Sequence, residues 1–166
     1  MDGQMPWKDV KHLRPVAASP EAHKKMAAVG RRDTPQEMAI RKALFRAGCR
    51  FRVQFRPLND HRWTADIAFT KVKVLVFVDG CYWHGCPIHG SIPKTNREWW
   101  TAKIGRNVER DREATQVLTE RGWTVLRVWS HEDPTAAAQT IMKTLRGGSR
   151  EARQDGGNVA PELENP

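Results

Sequence analysis

The hydrophobic and polar positions in the first half of the chain predict one helix and three strands. Residues 34–37 (TPQE) have the pattern of a capping box with Pro at the first helical position, and the helix that follows stops at Gly48. Residues 51–55 alternate between apolar and polar side chains, which is typical of a half-buried strand. A second strand is predicted over 64–70. The third, 72–78, is nearly all apolar and should be central and buried on both faces.

The second half predicts a long helix, a fourth strand and a last helix. Residues 95–98 (TNRE) repeat the capping pattern, and Gly122 ends the long helix. Residues 123–129 (WTVLRVW) read as a strand, and residues 133–134 (DP) begin a helix that ends near Gly147. The order αβββαβα predicts an α/β fold in which helices flank a mixed central sheet.

Composition limits the domain organisation and the class of partner. The chain has 166 residues and a net charge of +9, so one domain and an acidic partner are expected, with nucleic acid as the first candidate. Residues 1–30 read as an arm, 31–147 as the folded domain and 148–166 as a disordered tail.

Several classes of protein are disfavoured by the same composition. No run of about 18 apolar residues is present, so no membrane partner is expected. The first ten residues lack the apolar segment of a secretory signal. Three Cys is an odd number that argues against a disulfide framework, and a cytoplasmic protein is expected.

The loop after the third strand has the side chains of a zinc site. Cys81, Cys86 and His89 can converge on one tetrahedral ion, and His131, just after the fourth strand, is the best candidate for a fourth ligand. The alternative is that these are buried free cysteines and surface histidines. Cys49 stands alone and is better explained as a core thiol.

Carboxylates near this loop indicate a second metal. Asp66 lies in the middle of an apolar strand, where a charge is costly unless it is paired or binds a metal, and Asp79 ends the neighbouring strand. Together they offer the oxygen ligands that Mg²⁺ prefers, although backbone N–H groups alone can satisfy a strand-end Asp. Glu37 can reach a metal-bound water, but its capping box already explains it. Three roles are open for His84: a fourth zinc ligand, a general base or a surface residue.

Aromatic and basic side chains in and after the loop are candidates for contacts with nucleic acid. Tyr82 and Trp83 lie in a polar loop, where an exposed aromatic pair favours stacking on bases or wedging between them. Trp100 falls in line with Ile104 and Val108, so burial in the core is its expected position. Four side chains of the long helix can meet phosphates or a base edge, with a solvated helix face as the alternative: Lys103, Arg106, Asn107 and Arg110.

Seven segments of the chain, in order, resemble the very short patch repair endonucleases, a family of bacterial DNA mismatch endonucleases. The resemblance spans about residues 20 to 131 and is specific, because the Cys/His loop and the long-helix motif occur together. The matching pieces are RRDTPQE at 31–37, FRVQ at 51–54, Asp66, VFVDGCYWHGCP at 76–87, IPKTNREWW at 92–100, KIGRNVERDRE at 103–113 and GWTVLRVW at 122–129.

The resemblance implies a restriction-endonuclease-like core (αβββαβ) with a structural zinc loop. It also implies an enzyme that uses Mg²⁺ to nick one strand of duplex DNA 5′ to the T of a T·G mismatch. Such mismatches arise when 5-methylcytosine deaminates. The expected partner is double-stranded DNA with T·G mismatches, near the nucleoid, and other mismatch-repair proteins are further candidates. A monomer is expected, since a nick in one strand at an asymmetric lesion needs no two-fold symmetry.

The catalytic residues of the family carry over one at a time. Asp66 matches the metal-binding aspartate, which holds Mg²⁺ together with the backbone carbonyl at the Val78 position. His84 matches the histidine that activates water, and Glu37 matches the glutamate of the first helix. Better-known members have Thr-His at the positions of Val78 and Asp79, and an aspartate there would more naturally bind the metal. Asp79 is therefore included among the catalytic and Mg²⁺-binding candidates.

The zinc and DNA contacts carry over with changes. The family spaces two of its ligands as His-x-Cys, whereas here Cys86 and His89 serve in the reverse order between Cys81 and His131. Trp100 matches a family aromatic that wedges into DNA, which replaces core burial as its expected role. The DNA-contacting matches are Tyr82, Trp83 and Trp100 as wedge, and Met26, Lys103 and Asn107 facing the mismatched pair.

Two other functions fit part of the sequence. A non-catalytic zinc module that binds nucleic acid would explain the charge, the loop and the aromatics, but not Asp66 in an apolar strand. A restriction-type endonuclease that cuts both strands would use similar core residues, but the wedge aromatics favour mismatch repair.

Overall fold

The chain folds as three helices and four strands in a computed structural model that describes residues 32–154. The predicted arm 1–30, with Met26, and residues 155–166 of the predicted tail lie outside the described residues. The order of elements is the predicted αβββαβα. The elements are α1 (Pro35–Arg46), β1 (Arg52–Phe55), β2 (Ala65–Phe69), β3 (Val74–Asp79), α2 (Arg97–Glu120), β4 (Thr124–Trp129) and α3 (Pro134–Gln154).

The four strands form one mixed sheet in the order β1-β2-β3-β4. The pairs β1–β2 and β2–β3 are antiparallel, whereas β3 and β4 are parallel and joined by the long helix α2. The α/β class with a mixed sheet is thus confirmed, and it is consistent with a restriction-endonuclease-like core. As predicted, β3 is an inner strand that is almost entirely buried.

The two faces of the sheet bury different helices. On one face, Ile67 and Val76 pack with Ile40 of α1 and Ile141 of α3. On the other, Ala68, Leu75 and Phe77 pack with Leu118 of α2. In the antiparallel pair β2–β3, Ile67 lies opposite Val76 and Ala68 lies opposite Leu75. The same register, continued by one residue, places Asp66 opposite Phe77. Asp66 and Asp79 therefore share the α2 face, because alternate residues of a strand point to the same side.

The two predicted capping boxes have different outcomes. At α1 the Glu37 N–H donates to Thr34 Oγ1 at 3.3 Å, and the Thr34 hydroxyl donates to Glu37 Oε1 at 3.0 Å, as predicted. At α2 the box over 95–98 is wrong. Asn96 is the N-cap in the left-handed region (φ 55°) and makes no side-chain capping hydrogen bond to the described residues. A Thr–Glu pair caps only when the backbone starts the helix at the Thr.

One other boundary and the burial of one strand residue differ from the sequence prediction. The last helix runs to Gln154 instead of ending near Gly147. An interior glycine costs a helix about 1 kcal/mol relative to alanine, which good helix formers on either side can offset. Val53 is 48% exposed, because β1 is an edge strand with little packed against it. Within residues 32–154, no helix is both long and apolar enough to cross a membrane.

Candidate active site and metal-ligand cluster

Asp66 is a carboxylate held in the apolar sheet by a few polar partners. The Val78 N–H donates to its Oδ2 at 2.8 Å, and the Gln54 side-chain amide donates to its Oδ1 at 3.3 Å. Burial raises the pKa of Asp66 to about 6. The nearby Glu37 carboxylate also raises it, whereas the Val78 N–H and the Arg41 guanidinium lower it. Asp66 thus lies where a cation would relieve an unfavourable charge.

Glu37 lies near Asp66 at the start of α1. It is buried and accepts from Arg41 Nη2 at 2.9 Å and from the Asp33 N–H at 3.1 Å. The same Arg41 Nη2 donates to the Asp66 backbone carbonyl at 3.3 Å, which ties the helix to β2. The capping role expected for Glu37 is present, and its carboxylate also contributes negative potential at Asp66.

His84 is positioned by a carboxylate that the sequence reasoning missed. Its Nδ1 lies 2.5 Å from Oδ2 of Asp111 on α2 and 3.5 Å from Oδ1 of Asp79. Burial alone would raise the pKa of Asp111, but its hydrogen bond with His84 and the nearby Arg127 and Arg110 guanidinium groups lower it, so Asp111 is an ionised acceptor. An ionised acceptor requires the proton on Nδ1, which leaves the Nε2 lone pair able to take a proton.

Arg127 of β4 is the second missed residue. Its Nε and Nη2 donate to the two oxygens of Asp79 at 2.6 Å each, and Nη2 lies 3.3 Å from Asp111 Oδ2. The guanidinium also covers the Phe77 ring, with 5.2 Å from its carbon to the ring centroid. Burial alone would lower the pKa of Arg127, but the Asp79 carboxylate raises it, so the side chain stays charged.

Signals for both missed residues exist in the sequence. Asp111 follows Asn107 by one helical turn, so it continues the stripe of Lys103 and Asn107. Arg127 is a charge inside an apolar strand, the same signal that identified Asp66.

The four predicted zinc ligands come together at the end of β3 and β4. Ligand atoms of Cys81, Cys86, His89 and His131 all lie within 4.8 Å of one another. His131 Nδ1 is 3.0 Å from Cys81 Sγ and 3.7 Å from Cys86 Sγ. Burial disfavours the Cys86 thiolate, but the N–H groups of the loop that follows point at Sγ and lower the pKa of this thiol. The donor set of two thiolates and two imidazoles fits Zn²⁺.

The candidate wedge aromatics form one cluster. The ring centroids of Tyr82 and Trp83 are 5.0 Å apart. The Trp100 ring centroid lies 5.4 Å from that of Tyr82 and 5.7 Å from that of Trp83. Trp100 is only 5% exposed, in agreement with the burial expected from its helical spacing. Tyr82 and Trp83 are half-buried rather than exposed, so a DNA role for any of the three stays a prediction.

The stripe on α2 is partly used to hold this loop. The Asn107 side-chain amide donates to the Trp83 carbonyl at 3.0 Å, and Lys103 Nζ lies 4.7 Å from the Trp99 ring centroid. Gly85 presses against the same helix with φ +67°, and a Cβ there would meet Val108 Cγ2 at 3.0 Å. The loop that carries His84 is thus fixed on α2, while Arg106 and Arg110 are exposed beside it.

The structure distributes the predicted site residues between two connected groups. Asp66, Glu37 and the Val78 N–H form one group, and His84 with Asp79 forms the other. Val78 and Asp79 are adjacent in β3, so consecutive residues of one strand contact the Asp66 carboxylate and the His84 ring.

Comparisons with known proteins point to one family. A model of the DNA mismatch endonuclease Vsr family matches residues 17–89. The chain is 48% identical over 122 residues to the type II nicking enzyme V.NaeI of Lentzea aerocolonigenes, covering 72% of this chain and 74% of that protein. It is 38% identical over 134 residues to the type II nicking enzyme V.NmeDIP of Neisseria meningitidis serogroup C, covering 77% and 88%. It is 39% identical over 108 residues to the DNA mismatch endonuclease Vsr of Escherichia coli strain K12, covering 64% and 67%.

Proposed function

The chain belongs to the family of very short patch repair endonucleases, whose relatives are named as mismatch endonucleases and nicking enzymes, and from this premise we propose a specific reaction. The protein nicks one strand of duplex DNA 5′ to the T of a T·G mismatch by Mg²⁺-dependent hydrolysis of the phosphodiester. The membership itself supports the broader statement that the protein is a DNA endonuclease.

One observation carries the hydrolytic part of the proposal. Val78 donates its N–H to the Asp66 carboxylate, and the next residue, Asp79, lies 3.5 Å from Nδ1 of His84. A buried acid that favours a cation and an oriented imidazole are thus each contacted by one of two adjacent residues at the end of β3. Metal-assisted hydrolysis needs both groups close together.

Asp66 is the side chain proposed to hold Mg²⁺, together with the backbone carbonyl of Val78. Burial and Glu37 both work against the ionised form of Asp66, and its pKa near 6 reflects that. A hard oxygen donor in such a position fits a divalent cation. Bound there, Mg²⁺ would polarise the scissile phosphate and stabilise the leaving 3′-oxygen. Asp79 is left out of this ligand set, because Arg127 already engages both of its oxygens.

His84 is proposed as the general base. Asp111 accepts from Nδ1, so Nε2 is the atom that takes a proton from the attacking water. Glu37 is close enough to influence the charge of Asp66, which supports a role in positioning water at the metal side. Each residue acts from a fixed position, because α1, β2, β3 and α2 are packed against one another.

The remaining predicted residues are assigned to structure and DNA recognition. The Cys81–Cys86–His89–His131 cluster is proposed to bind a structural Zn²⁺ that fixes the loop carrying His84. Tyr82, Trp83 and Trp100 are proposed to press on the mismatched step, which resists unstacking less than a paired one. Four helix side chains are proposed to contact DNA: Lys103, Arg106, Asn107 and Arg110.

A duplex panel tests the proposal. Purified protein is incubated with otherwise identical T·G and T·A duplexes, with Mg²⁺ or with EDTA, and each strand carries its own label. The expected result is a single nick 5′ to the mismatched T, only with T·G and only with Mg²⁺. Cuts in both strands of the T·A duplex would identify a restriction-type enzyme. Tight Mg²⁺-independent binding with no cleavage would identify a non-catalytic zinc module.

A His84→Ala variant tests the assigned base. It should lose nicking by roughly 10²- to 10⁴-fold, the usual contribution of a general base, while T·G duplex binding is kept. The matched control is His61→Ala, because His61 is a half-buried histidine that pairs with Asp60 in the loop between β1 and β2. Equal loss of binding and nicking in His84→Ala would show that His84 acts only on structure.

A further inference from the structure

Asp79 and Arg127 form a two-point ion pair within the site. Both guanidinium-to-carboxylate distances are 2.6 Å, and the Asp79 side chain is only 7% exposed. Such parallel hydrogen bonds are stronger and more directional than those of a single contact. A divalent cation bound to Asp79 would lie a few ångströms from the guanidinium charge, which opposes its binding.

Arg127 also reaches the carboxylate that holds His84. Its Nη2 lies 3.3 Å from Asp111 Oδ2, and its Nη1 donates to the Asp111 backbone carbonyl at 3.4 Å. The Phe77 ring beneath fixes the plane of the guanidinium. One side chain of β4 therefore links the end of β3 to the middle of α2.

The contacts of His84 suggest why this link matters. Nδ1 has two carboxylates within reach, Asp111 at 2.5 Å and Asp79 at 3.5 Å. Because Arg127 occupies both oxygens of Asp79, that carboxylate is the weaker acceptor, and the ring turns to Asp111. Without the guanidinium, two partly buried carboxylates would compete for one imidazole and repel each other.

We propose that Asp79 and Arg127 are a pair of positioning residues that orient His84 through Asp111, and that Asp79 is not a ligand of the catalytic cation. This inference rests on the proposed function, in which His84 is the base. It gives Asp79 a role that differs from the metal ligation expected from its residue type. It also assigns Arg127, which the family resemblance did not single out.

The pair is tested with Asp79→Asn, Arg127→Gln and the double variant. Nicking of a T·G duplex is measured as kcat, KM and the Mg²⁺ concentration that gives half-maximal rate. Each single variant should lose about 10- to 100-fold in kcat, since small misplacements of a reacting group have effects of this size. The KM for DNA and the half-saturating Mg²⁺ should change less than about twofold, and the double variant should be no worse than the poorer single variant, as expected for residues that act as a unit.

An exposed pair of the same residue types provides the control. Arg121 and Asp60 form an ion pair at 3.3 Å with both side chains 54% exposed, and neither residue has a role in the proposed chemistry. Arg121→Gln and Asp60→Asn should leave kcat unchanged. A rise of tenfold or more in half-saturating Mg²⁺ for Asp79→Asn, with no such rise for Arg127→Gln, would overturn the proposal and make Asp79 a metal ligand.

A structural measurement separates this inference from the proposed function. Crystals of the wild type and of Asp79→Asn are soaked with Mn²⁺. Asp79→Asn is chosen because it keeps the side-chain volume, so the test remains available if Arg127→Gln does not fold. The expected result is Mn²⁺ at Asp66 and not at Asp79, with the His84–Asp111 contact lengthened in the variant. Mn²⁺ on Asp79, or an unchanged His84–Asp111 contact, would refute the positioning role. Absence of nicking by the wild type would instead refute the proposed function, and the crystals would still decide the inference.

Discussion

Asp66 and Asp79 lie on the same face of neighbouring strands, yet their surroundings are opposite. Asp66 has an N–H group and an amide as partners, and burial raises its pKa to about 6. Asp79 has a full guanidinium fork from Arg127. The comparison teaches that one sequence signal, an acid in an apolar strand, has two physical solutions. One acid still favours a cation, and the other already has one.

The largest effect is expected from the acid that still favours a cation. Asp66→Asn keeps the shape and the Val78 hydrogen bond but removes the charge, so Mg²⁺ loses its main ligand. Nicking should fall by about 10³-fold or more, a loss that corresponds to about 4 kcal/mol of transition-state stabilisation. Asp60→Asn, on an exposed acid, is the control. T·G duplex binding by gel shift should survive in both variants. Wild-type nicking rates in Asp66→Asn would contradict the role of Asp66.

A smaller loss of nicking activity is expected when Asp111, the carboxylate that accepts from His84, is changed. Asp111→Asn can place an NH₂ group against His84 Nδ1, which favours the tautomer with the proton on Nε2 and removes the base. We expect a loss in kcat of about 10²-fold or more with little change in KM. The measurement is steady-state nicking of a T·G duplex. If Asp111→Asn retains full kcat, His84 does not depend on Asp111 for its orientation.

Asp66 and Asp111 should also differ in how their contributions to the free energy of unfolding change with pH. The pKa of Asp66 is raised in the folded protein, so the native state binds more protons than the unfolded state between about pH 4 and pH 6. The free energy of unfolding contributed by Asp66 should therefore fall as the pH rises through this window, by up to about 3 kcal/mol. The pKa of Asp111 is lowered, so its contribution is instead lost below about pH 4, as the pH falls through its folded value.

Urea unfolding at pH 4.5 and pH 7 in metal-free buffer measures this difference. Asp66→Asn should be more stable than the wild type at pH 7 and closer to it at pH 4.5. Added Mg²⁺ should raise the stability of the wild type at pH 7 but not that of Asp66→Asn. A constant difference between the two proteins across this range would show that Asp66 titrates normally.

The smallest effect is expected at Gly85, in the loop that carries His84 and the metal-ligand candidate Cys86. Gly85→Ala places a Cβ at 3.0 Å from Val108 Cγ2 at a backbone φ of +67°. A cost of about 1–2 kcal/mol in the free energy of unfolding is expected, since both the contact and the conformation are unfavourable. Gly147→Ala is the matched control, because a Cβ there meets nothing within 4 Å. Equal stability changes in the two variants would contradict the close packing of the loop on α2.

The order of elements and the chemistry of single residues could be predicted from the sequence. Period-two and apolar segments identified all four strands, and the isolated charge of Asp66 marked a candidate site. Partners that are distant in sequence could not be predicted. Arg127 and Asp79 are 48 positions apart, and Asp111 and His84 are 27 apart, so only the strand register and the placement of α2 bring them together.

Local geometry was the other source of error. Residues 95–98 have the same letter pattern as a working capping box, but Asn96 takes the left-handed conformation and starts α2 one residue later. The pattern at Thr34 succeeded because its backbone is extended, with ψ 154°. A residue pattern predicts a cap only when the preceding loop delivers the chain in the right direction.

The position of β4 has a consequence for how the enzyme is made. This strand supplies Arg127 and leads directly to His131, and it joins the sheet beside β3 only after the whole of α2 has been added. A ribosome-bound chain that has emerged only as far as α2 already contains Asp66 and His84 but lacks the strand that supplies Arg127. The contacts of Arg127 with Asp79 and Asp111 can therefore form only after β4 has followed α2 out of the ribosome.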